Sequence, residues 1–75
     1  MSTDAVTAAM DRVSTVQSDN EAFLETMDSD SATDQMQNLQ NQLKMTEAVN
    51  FATNLMMTIH QQIMAAINKL GQAGQ

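Results

Sequence analysis

Hydrophobic residues in the second half of the chain recur at alternating steps of four and three positions. The run that keeps this spacing without interruption consists of Met45, Val49, Ala52, Met56, Ile59, Ile63, Ala66 and Leu70. Such spacing places side chains on one stripe of an α-helix, where they pack knobs into holes against another helix. We call this set the heptad seam, and we predict that it forms an assembly interface.

The pattern elsewhere predicts a first helix and a turn before the long second helix. A narrow apolar stripe indicates that the first helix starts near Ser2 or Thr3, and its members are Val6, Ala9, Val13 and Val16. Residues 28–33, DSDSAT, favour a turn because their side chains compete with a helix for backbone hydrogen bonds. The second helix is then expected to run from Asp34 to Leu70.

These elements predict one all-α domain that covers the whole chain. Proline is absent and both glycines lie among the last five residues, so nothing interrupts the helices before the C-terminus. The expected regions are an acidic helical region at 1–27, the turn at 28–33, the long helix at 34–70, a cap at Gly71 and a flexible tail at 71–75. The predicted fold is a helix-turn-helix hairpin with a short or kinked N-terminal helix and a long C-terminal helix.

The first helix contains a possible interruption. Ser18, Asp19, Asn20 and Glu21 fit the capping box Ser-x-x-Glu, in which the two side chains satisfy backbone donors at a helix start. The pattern predicts either a second short helix that begins there and carries Phe23, Leu24 and Met27, or a kink in one helix.

Residues 49–70 raise the possibility of a membrane span, because they carry no fixed charge before Lys69. About 20 apolar residues suffice to cross a bilayer as a helix. However, asparagine, glutamine and threonine interrupt this stretch, and lipid offers their side chains no hydrogen-bond partner. We therefore expect no stable membrane insertion, and we expect protein neighbours to cover an apolar surface that also includes Phe51, Leu55, Met57, Met64 and Ile67.

Chain length supports self-association. A domain of 75 residues has a large surface relative to its volume, so its own core is marginal. An elongated hairpin buries still less surface per residue than a globule, and partner subunits can supply the missing burial.

Charge is distributed unevenly along the chain. The net charge is -6, and eight of the nine acidic residues precede residue 35, where Arg12 is the only basic residue. The second part of the chain has two lysines against Glu47. Neither part offers a basic surface, so nucleic acid is not expected as a partner.

Residues that carry catalytic chemistry are scarce. The chain has one histidine, no cysteine, tyrosine or tryptophan, and no glycine-rich loop that could bind phosphate. We therefore expect neither an enzyme nor a bound cofactor. His60 is interpreted as a helix residue rather than a metal ligand, since a metal site needs several converging ligands.

Two aspartates in the turn and a third directly after it suggest calcium binding. An EF-hand loop that began at Asp28 would require glycine where Thr33 stands and glutamate where Leu39 stands. Asp28, Asp30 and Asp34 are therefore interpreted as a solvated acidic turn, and no metal site is predicted.

Two segments of the long helix resemble a known family. The helix opens with DQMQNLQ at 34–40, which contains M-x-x-L-Q at Met36, Leu39 and Gln40, and MTIHQQI follows at 57–63. Over roughly residues 20–70 the chain resembles the needle (pilus) subunits of bacterial type III secretion systems. Members of that family often have proline in the interhelical turn, where this chain has SATD.

The resemblance implies a structural subunit of a secreted filament on the bacterial cell surface. Such subunits assemble into a helical homopolymer, a hollow needle that conducts unfolded effector proteins out of the bacterium. The implied partners are other copies of the chain, cytoplasmic needle chaperones, inner rod and tip proteins, and the translocating effectors. In such a tube the candidate channel-facing polar residues are Gln61, Gln62, Asn68 and Lys69.

Two alternatives remain open at the level of sequence. The chain could be the inner-rod subunit of the same machine, since rod subunits end in a similar helix. It could also be a soluble coiled-coil adaptor or chaperone, which would use the heptad seam in a closed oligomer. A closed oligomer has one size, whereas a needle subunit forms filaments of open-ended mass.

Overall fold

The computed structural model describes residues 3–74, which form two helices packed antiparallel as a hairpin. Helix α1 spans Thr3–Thr26 and helix α2 spans Ala32–Ala73. The hairpin measures 67 × 17 × 13 Å. Its long axis is set by α2, because 42 residues at about 1.5 Å each give roughly 63 Å. The predicted all-α hairpin with a long C-terminal helix is thus confirmed.

Helix α1 is continuous, which excludes the first of the two alternatives for residues 17–21, a second short helix that begins near Ser18. Residues 17–21 are helical, and Gln17 Nε2 donates to Glu21 Oε1 at 3.2 Å across one turn. The helix persists because its inward stripe continues through these residues. Val16, the buried Asn20 and the half-buried Phe23 follow at steps of four and three along the face that packs on α2.

The turn occupies residues 27–31, and α2 begins two residues before the predicted start at Asp34. Ser31 is the N-cap, and its hydroxyl oxygen accepts from the backbone N–H of Asp34 at 3.2 Å. The Asp34 carboxylate in turn accepts from the backbone N–H of Asp28 at 2.8 Å. Asp28 accepts from the N–H of Asp30 at 3.0 Å. The carboxylates of Asp28 in the turn and Asp34 in the first turn of α2 therefore hold the turn's backbone in place.

We expect Ser31→Ala to destabilise the hairpin, because the substitution removes the N-cap bond of α2. Loss of such a cap lowers the free energy of unfolding by about 1 kcal/mol. Urea unfolding followed by circular dichroism measures this change. Ser29→Ala is the matched control, since it alters an exposed serine of the same turn that is not the cap. Equal effects of the two substitutions would contradict the assigned cap.

The C-terminal end of α2 also differs from the prediction. The helix continues through Gly71 to Ala73, and Gly74 is the C-cap, with its N–H donating to the carbonyl of Leu70 at 3.0 Å. Gly71 is thus not the cap, and residues 71–73 are helical rather than a flexible tail. A glycine costs an exposed helix only about 1 kcal/mol relative to alanine, which is not enough to end it here. Gln75 lies outside the described residues.

A thin core lies along the seam between the helices. Ala9 of α1 and Ala52 and Leu55 of α2 are buried together. Ala5, Val6, Val13 and Ile59 pack against this cluster as its partly buried neighbours. The hairpin seam of α2 consists of Met45, Ala48, Ala52, Leu55 and Ile59, with Ala48 only 1% exposed. Small residues let two helix backbones approach closely, but they bury little apolar area per residue.

The part of the seam nearer the turn is polar. Asn20 is 7% exposed, and its Oδ1 has no hydrogen-bond partner among the described residues. The same holds for Oδ1 of Asn38, which lies near the start of α2. A buried acceptor without a partner costs about 1–3 kcal/mol, although a single polar residue in a helix seam also fixes the register.

We expect Asn20→Leu to stabilise the hairpin, because leucine has a similar shape and leaves no amide oxygen unpaired. The free energy of unfolding should rise by about 1–3 kcal/mol. Urea unfolding at a concentration where the chain is monomeric measures it. Asn68→Leu makes the same change at an exposed site of α2 and should alter stability by less than about 0.5 kcal/mol. A lower stability for Asn20→Leu would mean that the amide makes a net favourable contribution.

Candidate assembly surface

Helix α2 extends well past the end of α1. The last α2 residue in the core region is Ile59, which packs against the buried cluster, as do Ala5 and Val6 near the start of α1. From His60 to Gly74 every described side chain is exposed. We call residues 60–73 the overhang, and its fourteen residues span about 21 Å at 1.5 Å each.

The overhang carries large apolar side chains without a partner in the described part of the chain. Ile63 is 52% exposed, Ile67 53% and Leu70 73%. Lys69 is its only residue with a fixed charge. Single exposed apolar residues are ordinary, but a contiguous group of this kind marks an interaction surface.

The structure divides the predicted heptad seam between two surfaces. Ala52 is buried in the hairpin core, and Met45 and Ile59 are half-buried in the hairpin seam. The other members are exposed, and they are Val49, Met56, Ile63, Ala66 and Leu70. Three of the eight residues thus serve the fold of one chain, whereas five remain available to a neighbour.

The large exposed members of the heptad seam, together with the neighbouring Ile67, define a second apolar surface on α2. We call it the outer strip, and it consists of Val49, Met56, Ile63, Ile67 and Leu70. Val49, Met56, Ile63 and Leu70 recur every seven residues, so they share one side of the helix. Val49 follows Ala48 of the hairpin seam by one position, which rotates the outer strip by about 100° from that part of the seam.

A groove lies on the other flank of the hairpin. It has a volume of about 500 Å³ and is lined by Ala5, Ala8, Ala9, Arg12, Phe51 and Leu55. We call this groove the socket. Phe51 is 55% exposed there, and it lies about 160° around α2 from Val49. The hairpin therefore presents two different apolar surfaces on opposite flanks, and sequence patterning did not reveal the socket.

The candidate channel-facing polar residues all lie exposed on the overhang. Gln61 and Asn68 are seven positions apart and share one side of α2, and Gln62 and Lys69 share the neighbouring side. Both pairs point away from Ile63 by more than about 90°. The overhang therefore has an apolar side and a polar side.

Neither a metal site nor a membrane span is found in the part of the chain that the structure describes. No group of three or more histidine, cysteine, aspartate or glutamate residues could hold a metal ion there. His60 is exposed beside Met56 and Met57. Within residues 3–74, neither helix combines the length and apolar character required to cross a bilayer.

The exposed area is larger than a compact protein of this mass would have. The chain exposes 5770 Å², whereas a folded monomer of 8.2 kDa is expected to expose about 4,500 Å². The excess of roughly 1,200 Å² exceeds the area of about 800 Å² that one partner loses in a standard protein interface. The elongated shape thus leaves enough surface for at least one neighbouring chain.

The outer strip and the socket can each bind a helix of another chain. The outer strip and the socket consist mainly of apolar side chains, whose removal from water is favourable and needs no directional bond. The heptad pattern found four of the five members of the outer strip, all but Ile67, while the socket depends on the packing of α1 against α2. In comparisons with protein-family models, curated proteins and solved structures, nothing matched this chain.

Proposed function

We propose that the chain is a structural subunit that polymerises into a hollow helical filament, the needle (pilus) of a type III secretion system. The filament conducts unfolded effector proteins out of the bacterium and stands on the cell surface as a secreted structure. Its partners are further copies of the chain, cytoplasmic needle chaperones, inner rod and tip proteins, and the passing effectors.

The observation that carries the proposal is the unpartnered overhang of α2. A hairpin that leaves Ile63, Ile67 and Leu70 in water gains about 25 cal/mol for each Å² that a neighbour covers. The outer strip and the socket are different surfaces on opposite flanks, so a contact of one with the other joins two copies head-to-tail. Head-to-tail contacts form open helical filaments unless the rotation between copies happens to close a ring.

The assignment to a secretion needle is supported by the sequence resemblance and by the polar side of the overhang. The resemblance rests on Met36, Leu39 and Gln40 at the start of the long helix and on the segment 57–63. In a tube, Gln61 and its polar neighbours suit a lining for an unfolded chain, because amides offer hydrogen bonds without a fixed charge.

Assembly of the purified chain is the first test. Analytical ultracentrifugation across a range of concentrations and negative-stain microscopy should show filaments of variable length. A single closed species would instead favour the coiled-coil adaptor or chaperone, because a closed oligomer has one fixed size.

Transport requires a separate test. The chain should restore secretion of a reporter effector and surface needles in a type III secretion strain that lacks its own needle subunit. Rescue of a strain that lacks its inner rod, without rescue of the needle strain, would favour the inner-rod subunit.

A further inference from the structure

We propose that the overhang of one copy docks in the socket of the next copy, with Ile67 and Leu70 entering the groove beside Ala8 and Phe51. The inference rests on the proposed self-assembly and names the two surfaces that meet. The occupant of the socket is therefore the C-terminal part of α2 of a second chain.

The socket has the dimensions and chemistry of a site for aliphatic side chains. On its α1 side Ala5, Ala8 and Ala9 project only methyl groups, and Arg12 lies beside them. Phe51 forms the opposite wall and Leu55 the floor. Its volume of about 500 Å³ holds more than one branched side chain. Leu55 also contributes to the core, so the floor of the socket is fixed by the hairpin itself.

The overhang supplies side chains that fit this groove. Ile63, Ile67 and Leu70 lie at steps of four and three, so they point to one side and can enter a groove together. They are the most C-terminal members of the outer strip, and no α1 lies beside them in their own chain. Docking would cover side chains that are more than half exposed in the hairpin.

Charge favours this pairing over other contacts between copies. Helix α1 contains five acidic residues and Arg12, which gives a net charge of -4, so two α1 helices repel each other. From Ala48 to Gly74 the only fixed charge is that of Lys69. Arg12 is the only charged residue that lines the socket, so the attraction to an overhang of charge +1 comes from the acidic residues elsewhere on α1, whose total charge is -4.

The overhang of a chain cannot reach the socket of the same chain. Ile67 lies twelve residues beyond Leu55 of the socket, which corresponds to about 18 Å along a straight helix. A disulfide bond requires Cα atoms within about 7 Å of each other. Cysteines placed at positions 8 and 67 can therefore bond only between different chains.

The test uses a double variant, Ala8→Cys with Ile67→Cys, in a chain that has no cysteine of its own. After assembly and mild oxidation, a non-reducing gel should show a ladder of covalent oligomers that extends beyond the dimer. Each single-cysteine variant can reach only the dimer. The matched control, Ala22→Cys with Ile67→Cys, places the first cysteine at an exposed alanine of α1 outside the socket and should give no ladder.

A second measurement does not depend on oxidation. Ala8→Lys fills the socket with a charged side chain and should raise the concentration needed for assembly at least about tenfold, because burying an unpaired charge is costly. Ala22→Lys changes the net charge equally and should leave that concentration unchanged within about twofold.

The outcomes separate the docking proposal from the proposed function. Filaments with neither a ladder nor an effect of Ala8→Lys would overturn the docking site while self-assembly stands. A ladder that ends at one size would support the docking site but overturn the open filament. An unmodified chain that sediments as a monomer at every concentration would overturn both.

Discussion

Ile63→Asp is expected to keep the purified chain monomeric at concentrations where the unchanged chain forms filaments. Ile63 is 52% exposed in the hairpin, so the substitution should leave folding of the single chain intact. In the assembly the new carboxylate would lie at a packed apolar contact, where an uncompensated buried charge costs about 3–5 kcal/mol. An energy of about 3 kcal/mol corresponds to roughly two orders of magnitude in affinity. Sedimentation velocity measures the change.

Gln61→Asp is the matched control for this substitution. It adds the same charge two positions away, on the side of α2 that lies about 160° from Ile63. The control should therefore assemble almost as the unchanged chain does. If Ile63→Asp assembles as well as Gln61→Asp, the outer strip is not an assembly surface.

Ile59→Asp should behave differently from Ile63→Asp, although both isoleucines belong to the heptad seam. Ile59 packs against the cluster of Ala9, Ala52 and Leu55, so a carboxylate there disturbs the hairpin itself. Circular dichroism of the monomer should show a loss of thermal stability for Ile59→Asp and little change for Ile63→Asp. The sequence pattern treats these two positions as equivalent, and their different burial separates them.

The hairpin fold was predictable because its signals are local. The absence of proline and the run of aspartate and serine around residue 30 were enough to predict two helices and one turn. The start of the second helix was harder to predict, because two segments of the sequence offer a similar N-cap. Ser18-x-x-Glu21 fits the capping box better, but the turn forms at Ser31-x-x-Asp34. Packing of α1 against α2 decides between them, and neither motif contains that information.

The heptad seam shows why the candidate site was only partly predictable. The spacing of four and three positions selects Val49 and Met56, yet the hairpin seam uses Ala48 and Leu55 one position earlier. Alanine suits this seam because it lets the helices come close, a property that hydrophobic strength does not measure. Asn20 is a stronger exception, since a buried amide oxygen without a partner is disfavoured and no apolar pattern predicts it.

The overhang exists because α2 is longer than α1. Small errors in the predicted ends of the helices hide this difference in length. Helix α1 has 24 residues and α2 has 42, so part of α2 must extend beyond its partner. The socket could not be predicted at all, because Ala8 and Phe51 are far apart in sequence and meet only when the hairpin closes. Surfaces of this kind depend on tertiary packing.

A chain that ends at His60 is expected to fold as a hairpin and to lose assembly completely. The truncation removes nearly all of the overhang, including Ile63, Ile67 and Leu70, but none of the buried residues, since these all lie at or before Leu55. The free energy of unfolding of the monomer should therefore change by no more than about 1 kcal/mol. Sedimentation should show a monomer, and circular dichroism should show two intact helices.

A longer truncated chain that ends at Gly71 tests whether the apolar part of the overhang is enough for assembly. It keeps Leu70 and loses only residues 72–75, which contain no apolar side chain larger than that of Ala73. Because burial of branched side chains contributes most to helix packing, the chain that ends at Gly71 should still form filaments. Filaments from the chain that ends at His60 would show that contacts outside the overhang suffice for assembly. Loss of filaments in both truncated chains would place the assembly contact in the last four residues instead of the outer strip.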